Sequence, residues 1–254
     1  MSRSFLSKLK SRLRRQLESF ALESLPVCKP RIEAVHPHDV TACTQGLVFY
    51  QDRLYESVGS TRCSTLRRVD VDSGEVLSSV PIENDYAEGI AILDDRLVQL
   101  SWKSGIARVF DLDNLNQVDE FNYSGEGWGL ASDTSRFFMS NGSHRIELRN
   151  HRFDIVGRRA IRRRGIPMRG INDLEVNKDS ILMNVIDQSY LLEYSINQAR
   201  ISRKIDCSEL VSAVEPQRPG HVLNGIAYRG ANNSYYLTGK YWKSMFRVTM
   251  RVGQ

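Results

Sequence analysis

The chain has 254 residues, 41% of them hydrophobic and 26% charged, with a formal net charge of +5. That composition is ordinary for a globular protein, and the length suffices to bury a core without disulfide or metal staples. Residues 1–26 hold six basic residues against two acidic ones, so four of the five net positive charges lie there; the nearly neutral remainder argues against nucleic acid as a partner.

In that basic segment Phe5, Leu6, Leu9, Leu13, Leu17 and Phe20 recur at intervals of three and four, the helical period, while Lys8, Arg12 and Arg15 lie off the stripe. Residues 1–28 therefore read as a basic amphipathic helical extension whose helix ends before Pro26. Charges interrupt every turn, so there is no apolar core of a secretory signal, and no run approaches the roughly 20 apolar residues of a membrane span. The expected location is cytoplasmic or peripheral to a membrane through residues 1–25. The simplest packing is against the body or a second copy, and attachment to an anionic membrane is the alternative; a monomer is expected.

Past residue 28 a motif repeats: "TQGLVFY" (44–50), "AEGIAIL" (87–93), "GWGLASD" (127–133), "INDLEVN" (171–177, with Asp173 in place of Gly) and "LNGIAYR" (223–229). Each copy is followed by a turn and a second β-rich run, starting at Arg53, Arg96, Arg136, Ser180 and Ser234, at spacings of 43, 40, 44 and 54. Third runs follow in all copies and fourth runs in the first four. This is the period of a four-stranded propeller blade. The fifth copy lacks a fourth strand, and "KPRIEAVH" (29–36) alternates as a strand should. We therefore expect an all-β chain in which residues 29–254 form a five-bladed β-propeller closed by the N-terminal strand, which leaves no open edge. Residues 208–221 read as a loop or short helix over one face. "DVDSGE" (70–75) and "DLDNLN" (111–116) read as hairpin turns without the full ligand spacing of a calcium loop. The basic run Arg158, Arg159, Arg162, Arg163 and Arg164 reads as a solvated edge.

First strands of propeller blades line the axis, so polar residues entering them converge there. These are Gln45, Glu88, Glu126 with Trp128, Asn172 with Glu175, and Asn224; the second-strand ends add Glu56, Trp102 with Lys103, Asn141, Asn184 and Lys240 with Trp242. Indole walls with a few polar groups suit a small polar ligand. The alternatives are inter-blade core for the tryptophans and turn-holding for Asn172 and Asn224. Glu88, heading a strand aimed at the axis, is harder to explain as structure, because a buried carboxylate needs a partner or a function; Lys240 is one partner, and general acid/base work is one function. Cys28, Cys43, Cys63 and Cys207 form no ligand pair, and His36 and His38 lack a third ligand, so no metal or cofactor is expected.

"TQGL", "AEGI", "SWK" (101–103), "GEGWGL" (125–130), "INDLE" (171–175), "LNGIA" (223–227) and "LTGKYW" (237–242), in this order, resemble the glutamine cyclotransferase family of plants and bacteria over about residues 30–250. The resemblance implies a five-bladed propeller that converts the N-terminal glutamine of a peptide or protein to pyroglutamate and releases ammonia without a metal. It also implies Glu88 as the acid/base carboxylate, Trp102 and Trp128 as pocket walls, and Gln45, Asn172 and Lys240 as polar lining. Glu175 and Asn224 belong to matching motifs and join the substrate-binding set.

Four departures stand out. Cys43 precedes "TQG" where the family has an aromatic, "YAEG" (86–89) replaces "FGEG", "NDLE" replaces "NELE", and "NVI" (184–186) puts Ile186 in place of a pocket tryptophan. The lost indole bears on substrate affinity. It motivates the rival reading of a propeller that binds peptide or protein and has lost turnover. A calcium-dependent lactonase-like hydrolase is a second rival, opposed by Lys240 in the same channel.

Overall fold

The computed structural model describes residues 3–214 and 219–250, with side chains from residue 12 onward. Phe5, Leu6 and Leu9 of the helical stripe, and residues 215–218 of the 208–221 segment, fall outside that description.

Five antiparallel meanders surround one axis. Blade 1 comprises Thr44–Tyr50, Arg53–Val58, Ser64–Val69 and Val76–Ile82; blade 2 comprises Ala87–Leu93, Arg96–Ser101, Ile106–Asp111 and Gln117–Asn122. Blade 3 comprises Leu130–Ser132, Phe137–Met139, Arg145–Arg149 and Ile155–Ala160; blade 4 comprises Ile171–Asn177, Ser180–Val185, Tyr190–Ser195 and Arg200–Asp206. Blade 5 is built from Leu223–Arg229, Ser234–Gly239 and Ser244–Thr249, and its outer strand is Arg31–Pro37, antiparallel to Ser244–Thr249. The chain thus closes as a five-bladed β-propeller through its N-terminal strand, as the unpaired fifth repeat required.

Burial follows distance from the axis. Every residue of Ala87–Leu93 is buried, whereas the outer strand Gln117–Asn122 is almost wholly exposed. Five apolar clusters fill the five gaps between neighbouring blades. The one that closes the ring joins Leu47, Leu54 and Val69 of blade 1 to Ala227, Tyr236 and Met245 of blade 5. Tight hairpins link first to second strands: Gln51 and Asp52, and Asp94 and Asp95, all take positive φ, the type I′ geometry that matches strand twist.

The repeated glycine has a packing cause. A methyl group on Gly89 would lie 2.7 Å from the Trp128 carbonyl oxygen, and one on Gly129 would lie 2.8 Å from Cα of Asp173. Neighbouring first strands touch backbone to backbone at the axis, where only a residue without Cβ fits. In blade 4 the exception, Asp173, reaches across to blade 5, and its Oδ2 accepts the Ile226 N–H at 2.8 Å.

The structure differs from the sequence reading at three places. Helix α1 (Arg3–Leu22) does pack on the body, but through Ala21 and Leu22, followed by Leu25, which join the cluster between blades 3 and 4. The stripe residues Leu13, Leu17 and Phe20 stay 51%, 55% and 54% exposed. Val27–Cys28, read as extension, pairs in parallel with the outer strand of blade 4. Part of the basic run forms a small hairpin, Arg162–Arg163 with Ile166–Pro167, rather than a plain edge. None of the three shows in a repeat pattern, because each is an addition to one blade. Helix α2 (Ser208–Ala213) occupies the start of the 208–221 segment.

Gly129→Ala is expected to lower stability by about 1–3 kcal/mol through overpacking. Gly157→Ala, whose methyl would meet only the Leu148 side chain at 3.4 Å, should stay close to wild type. Urea denaturation midpoints compare the two.

Candidate active site

The entries of the first strands bring one polar residue after another to the axis. Gln45, Asn172 and Asn224 are buried and bonded around it: Asn172 Nδ2 donates to Asn224 Oδ1 at 2.9 Å, and Asn224 Nδ2 donates to the Thr44 carbonyl at 2.7 Å and faces Gln45 Oε1 at 3.5 Å. Gln45 Nε2 donates in turn to the Tyr86 hydroxyl at 3.0 Å. This amide arc links blades 1, 4 and 5. The Asn172 Oδ1 atom is buried without a partner, an acceptor left open.

Glu88 heads the first strand of blade 2 and is 7% exposed. Among the described residues no side chain or backbone amide hydrogen-bonds its carboxylate. Burial pushes its pKa up to about 8; Lys240 pulls it back, and the Asp173 and Glu126 carboxylates push it further. Asp173, fully enclosed, is also raised by burial to about 8, against the amides of Ile226, Leu174 and Gly225 and the Lys240 charge. Burial thus favours the protonated form of both carboxyls. Lys240 follows the second strand of blade 5 and is the cation whose field reaches both.

Trp102 and Trp128 are half-buried at the mouth, and one carboxylate holds them both. Glu126 Oε2 accepts the Trp102 indole N–H at 3.1 Å and the Trp128 indole N–H at 3.0 Å. Tyr86 meets Trp102 edge-on at 5.7 Å between centroids, and the Lys103 ammonium sits 3.8 Å from the centroid of the same indole. Trp128 lies against Gly142, whose positive φ and missing Cβ make room for the indole.

The structure thus gathers Gln45, Glu88, Trp102, Trp128, Asn172, Asn224 and Lys240. Glu175 has a different neighbourhood: its carboxyl is enclosed beside Tyr228 and Tyr235 of blade 5 and raised well above the usual range by burial and by Asp173. Trp242 is core, 1% exposed and edge-on to Phe246. Glu56 is engaged by His38 Nε2 at 2.9 Å and by the Thr44 hydroxyl at 2.7 Å, with His38 Nδ1 on the Trp242 carbonyl, so it pins strands together. Ile186 is 36% exposed and packs on Gly170 beside the mouth. A separate cavity of about 160 Å³, lined in part by Arg14, Arg15, Glu18, Arg169, Ile186 and Tyr190, lies between α1 and blade 4.

Sequence reasoning missed Tyr86 and the site role of Asp173. Tyr86 stands two residues before Glu88, on the side of the strand entry that Gln45 reaches. Asp173 was visible only as an odd letter in the glycine column. No group of three or more His, Cys, Asp or Glu that could hold a metal ion occurs among the described residues.

Comparison with known proteins gives one consistent answer. The family model described as glutamine cyclotransferase matches residues 6–250. Glutaminyl-peptide cyclotransferase of Arabidopsis thaliana is 30% identical over 228 residues, which cover 87% of this chain and 71% of that protein. The crystal structure of Myxococcus xanthus glutaminyl cyclase matches with a TM-score of 0.86 at 32% identity, covering 91% of this chain and 100% of that one.

Because Glu126 is itself exposed, Glu126→Ala is expected to leave the fold intact and release both mouth indoles. Acrylamide should then quench tryptophan fluorescence more strongly, while the buried Trp242 remains protected.

Proposed function

The chain belongs to the glutamine cyclotransferase family, and from that premise we propose that it cyclises the N-terminal glutamine of peptides or proteins to pyroglutamate, without a metal, using Glu88 as general acid/base. The observation that carries this reading is Glu88 itself: a buried carboxyl with a pKa near 8, free of protein hydrogen-bond donors, beside two tethered indoles. A peptide α-amine has a pKa of about 7.7–8.0. Proton exchange between that amine and Glu88 is then close to thermoneutral, which is what efficient general catalysis asks of the pair.

In the step we propose, the α-amine nitrogen attacks the side-chain carboxamide carbon and a C–N bond forms. Glu88 takes the proton released by the amine. The carbonyl oxygen gains negative charge, which the Lys240 ammonium or the Asn172 amide stabilises. Glu88 then returns the proton to the departing nitrogen, the second C–N bond breaks, and ammonia leaves with the five-membered lactam behind it. Protons balance within the site.

Holding glutamine curled is the larger part of the work, since well-oriented intramolecular attack supplies up to roughly 7–11 kcal/mol. Trp102 and Trp128 serve as walls, while Gln45, Asn172 and Asn224 orient polar groups. Glu175 sits behind this lining as support for the junction of blades 4 and 5. The scarcity of clustered metal-ligating side chains among the described residues, and a lysine ammonium in the site, favour a metal-free reaction.

Purified protein is expected to release ammonia from a glutamine-initiated peptide with or without chelator. Glu88→Gln should lower kcat by about 10²–10⁴-fold with little change in stability. Peptide retention without ammonia release in the wild type would instead favour a binding module. Chelator-sensitive release would overturn the metal-free part.

The pH dependence has a definite sign. The relay needs a neutral amine and an ionised Glu88, and the attacking amine itself supplies the proton that Glu88 passes to the leaving group. Well below pH 8 both groups are protonated, so the amine cannot attack and Glu88 cannot accept. A plot of kcat/KM against pH should therefore rise as pH passes about 8 and level off above it.

Ile186→Trp restores the missing indole at the mouth. An added aromatic contact is worth about 0.5–1.5 kcal/mol, so KM should fall several-fold while kcat changes less.

A further inference from the structure

The best-supported unassigned surface lies on α1, away from the axial site. Leu13, Leu17 and Phe20 are spaced four and three apart, so they share one helix face, and that face is more than half exposed. Ala21, on the flank of that stripe, and Leu22, on the opposite side, are buried in the core between blades 3 and 4. The helix is therefore anchored with its apolar stripe turned outward, leaving a contact surface that the other described residues do not cover.

Basic groups rim this stripe. Arg12 and Arg14 flank it on α1 itself. The hairpin Arg162–Arg163 with Ile166–Pro167 packs beside the helix, with Arg163 donating to the Ser24 hydroxyl at 3.3 Å and the Arg164 guanidinium 5.5 Å over the Phe20 ring. Arg15 and Arg169 lie on the other side of the helix, where they line the cavity against blade 4 and the Arg169 backbone N–H donates to Glu18 at 3.3 Å. Acidic neighbours are few: Glu18 pairs with Arg14 at 3.8 Å and Asp187 with Arg15 at 3.9 Å. The arginine run, which does nothing for the axial site, thus becomes part of one surface with the helix.

We propose that this surface docks on an anionic lipid bilayer, with Leu13, Leu17 and Phe20 entering the acyl boundary and the arginines meeting lipid phosphates. Charge complementarity selects this occupant. Two copies apposed through α1 would bring like-charged arginine rims together, whereas phosphates at a bilayer surface neutralise them. The helix is about 30 Å long, and the sequence of residues 3–10 continues it with Phe5, Leu6, Leu9, Lys8 and Lys10 in the same basic-apolar composition.

The full-length chain should cosediment with phosphatidylcholine vesicles containing roughly one-third phosphatidylglycerol, and only weakly with phosphatidylcholine alone. Binding should weaken as salt rises from about 0.05 to 0.3 M, because exposed charges are screened. The triple variant Leu13→Glu, Leu17→Glu and Phe20→Glu should lose about tenfold or more in partitioning while keeping its circular dichroism and peptide turnover. Leu17→Glu alone, with one altered exposed position, should show a smaller loss in the same direction and serves if the triple variant fails to fold. No vesicle binding by the wild type, or full binding by a folded stripe variant, overturns the proposal. So does a concentration-dependent dimer that the stripe variant dissolves without any vesicle binding.

Discussion

Backbone meets backbone at the propeller axis, and nearly everything else in the molecule follows from that contact. Gly89 lies against the Trp128–Leu130 segment and Gly129 against Asn172 and Asp173, at separations that leave no room for a Cβ. Such close approach fixes where each first strand begins. It therefore fixes which residues reach the axis: the ones immediately beside the glycine. Glu88 precedes Gly89, Gln45 precedes Gly46, Trp128 precedes Gly129 and Asn224 precedes Gly225. One packing requirement, repeated around a ring, assembles the site.

The site is electrostatically crowded. Two carboxyls, Glu88 and Asp173, lie in the field of Lys240, and burial pushes the pKa of each up to about 8. Asp173 has a structural outlet, since its Oδ2 accepts the Ile226 N–H and ties blade 4 to blade 5. Glu88 accepts no hydrogen bond among the described residues, the feature on which the proposed proton relay rests. The third carboxylate, Glu126, sits at the exposed rim and holds the two indoles instead. Three acids near one axis thus do three different jobs, separated by burial and by what each is bonded to.

The decorations outside the repeat depend on a different balance. Helix α1 buries Ala21 and Leu22, near its C-terminal end, in the core and leaves Leu13, Leu17 and Phe20 in solvent. That end fixes the helix against blades 3 and 4. It also sets Phe20 and Ser24 beside Arg164 and Arg163 of the neighbouring hairpin, residues about 140 positions further along the chain.

The sequence by itself determined the blade count, the strand order, the closing strand and the identity of the residues at the axis. Each of these is a local periodic signal: a glycine before an apolar pair, a turn, and alternation, repeated five times and completed by Arg31–Pro37. Tertiary structure alone decided what each polar residue is bonded to. Glu126 bridging two indoles, Tyr86 receiving Gln45, His38 occupying Glu56, Glu175 turning toward Tyr235, and the outward face of α1 all depend on contacts between blades or between blade and helix. A repeat records the spacing that brings strands together; it carries no record of which neighbour a side chain meets, because that partner comes from another turn of the ring.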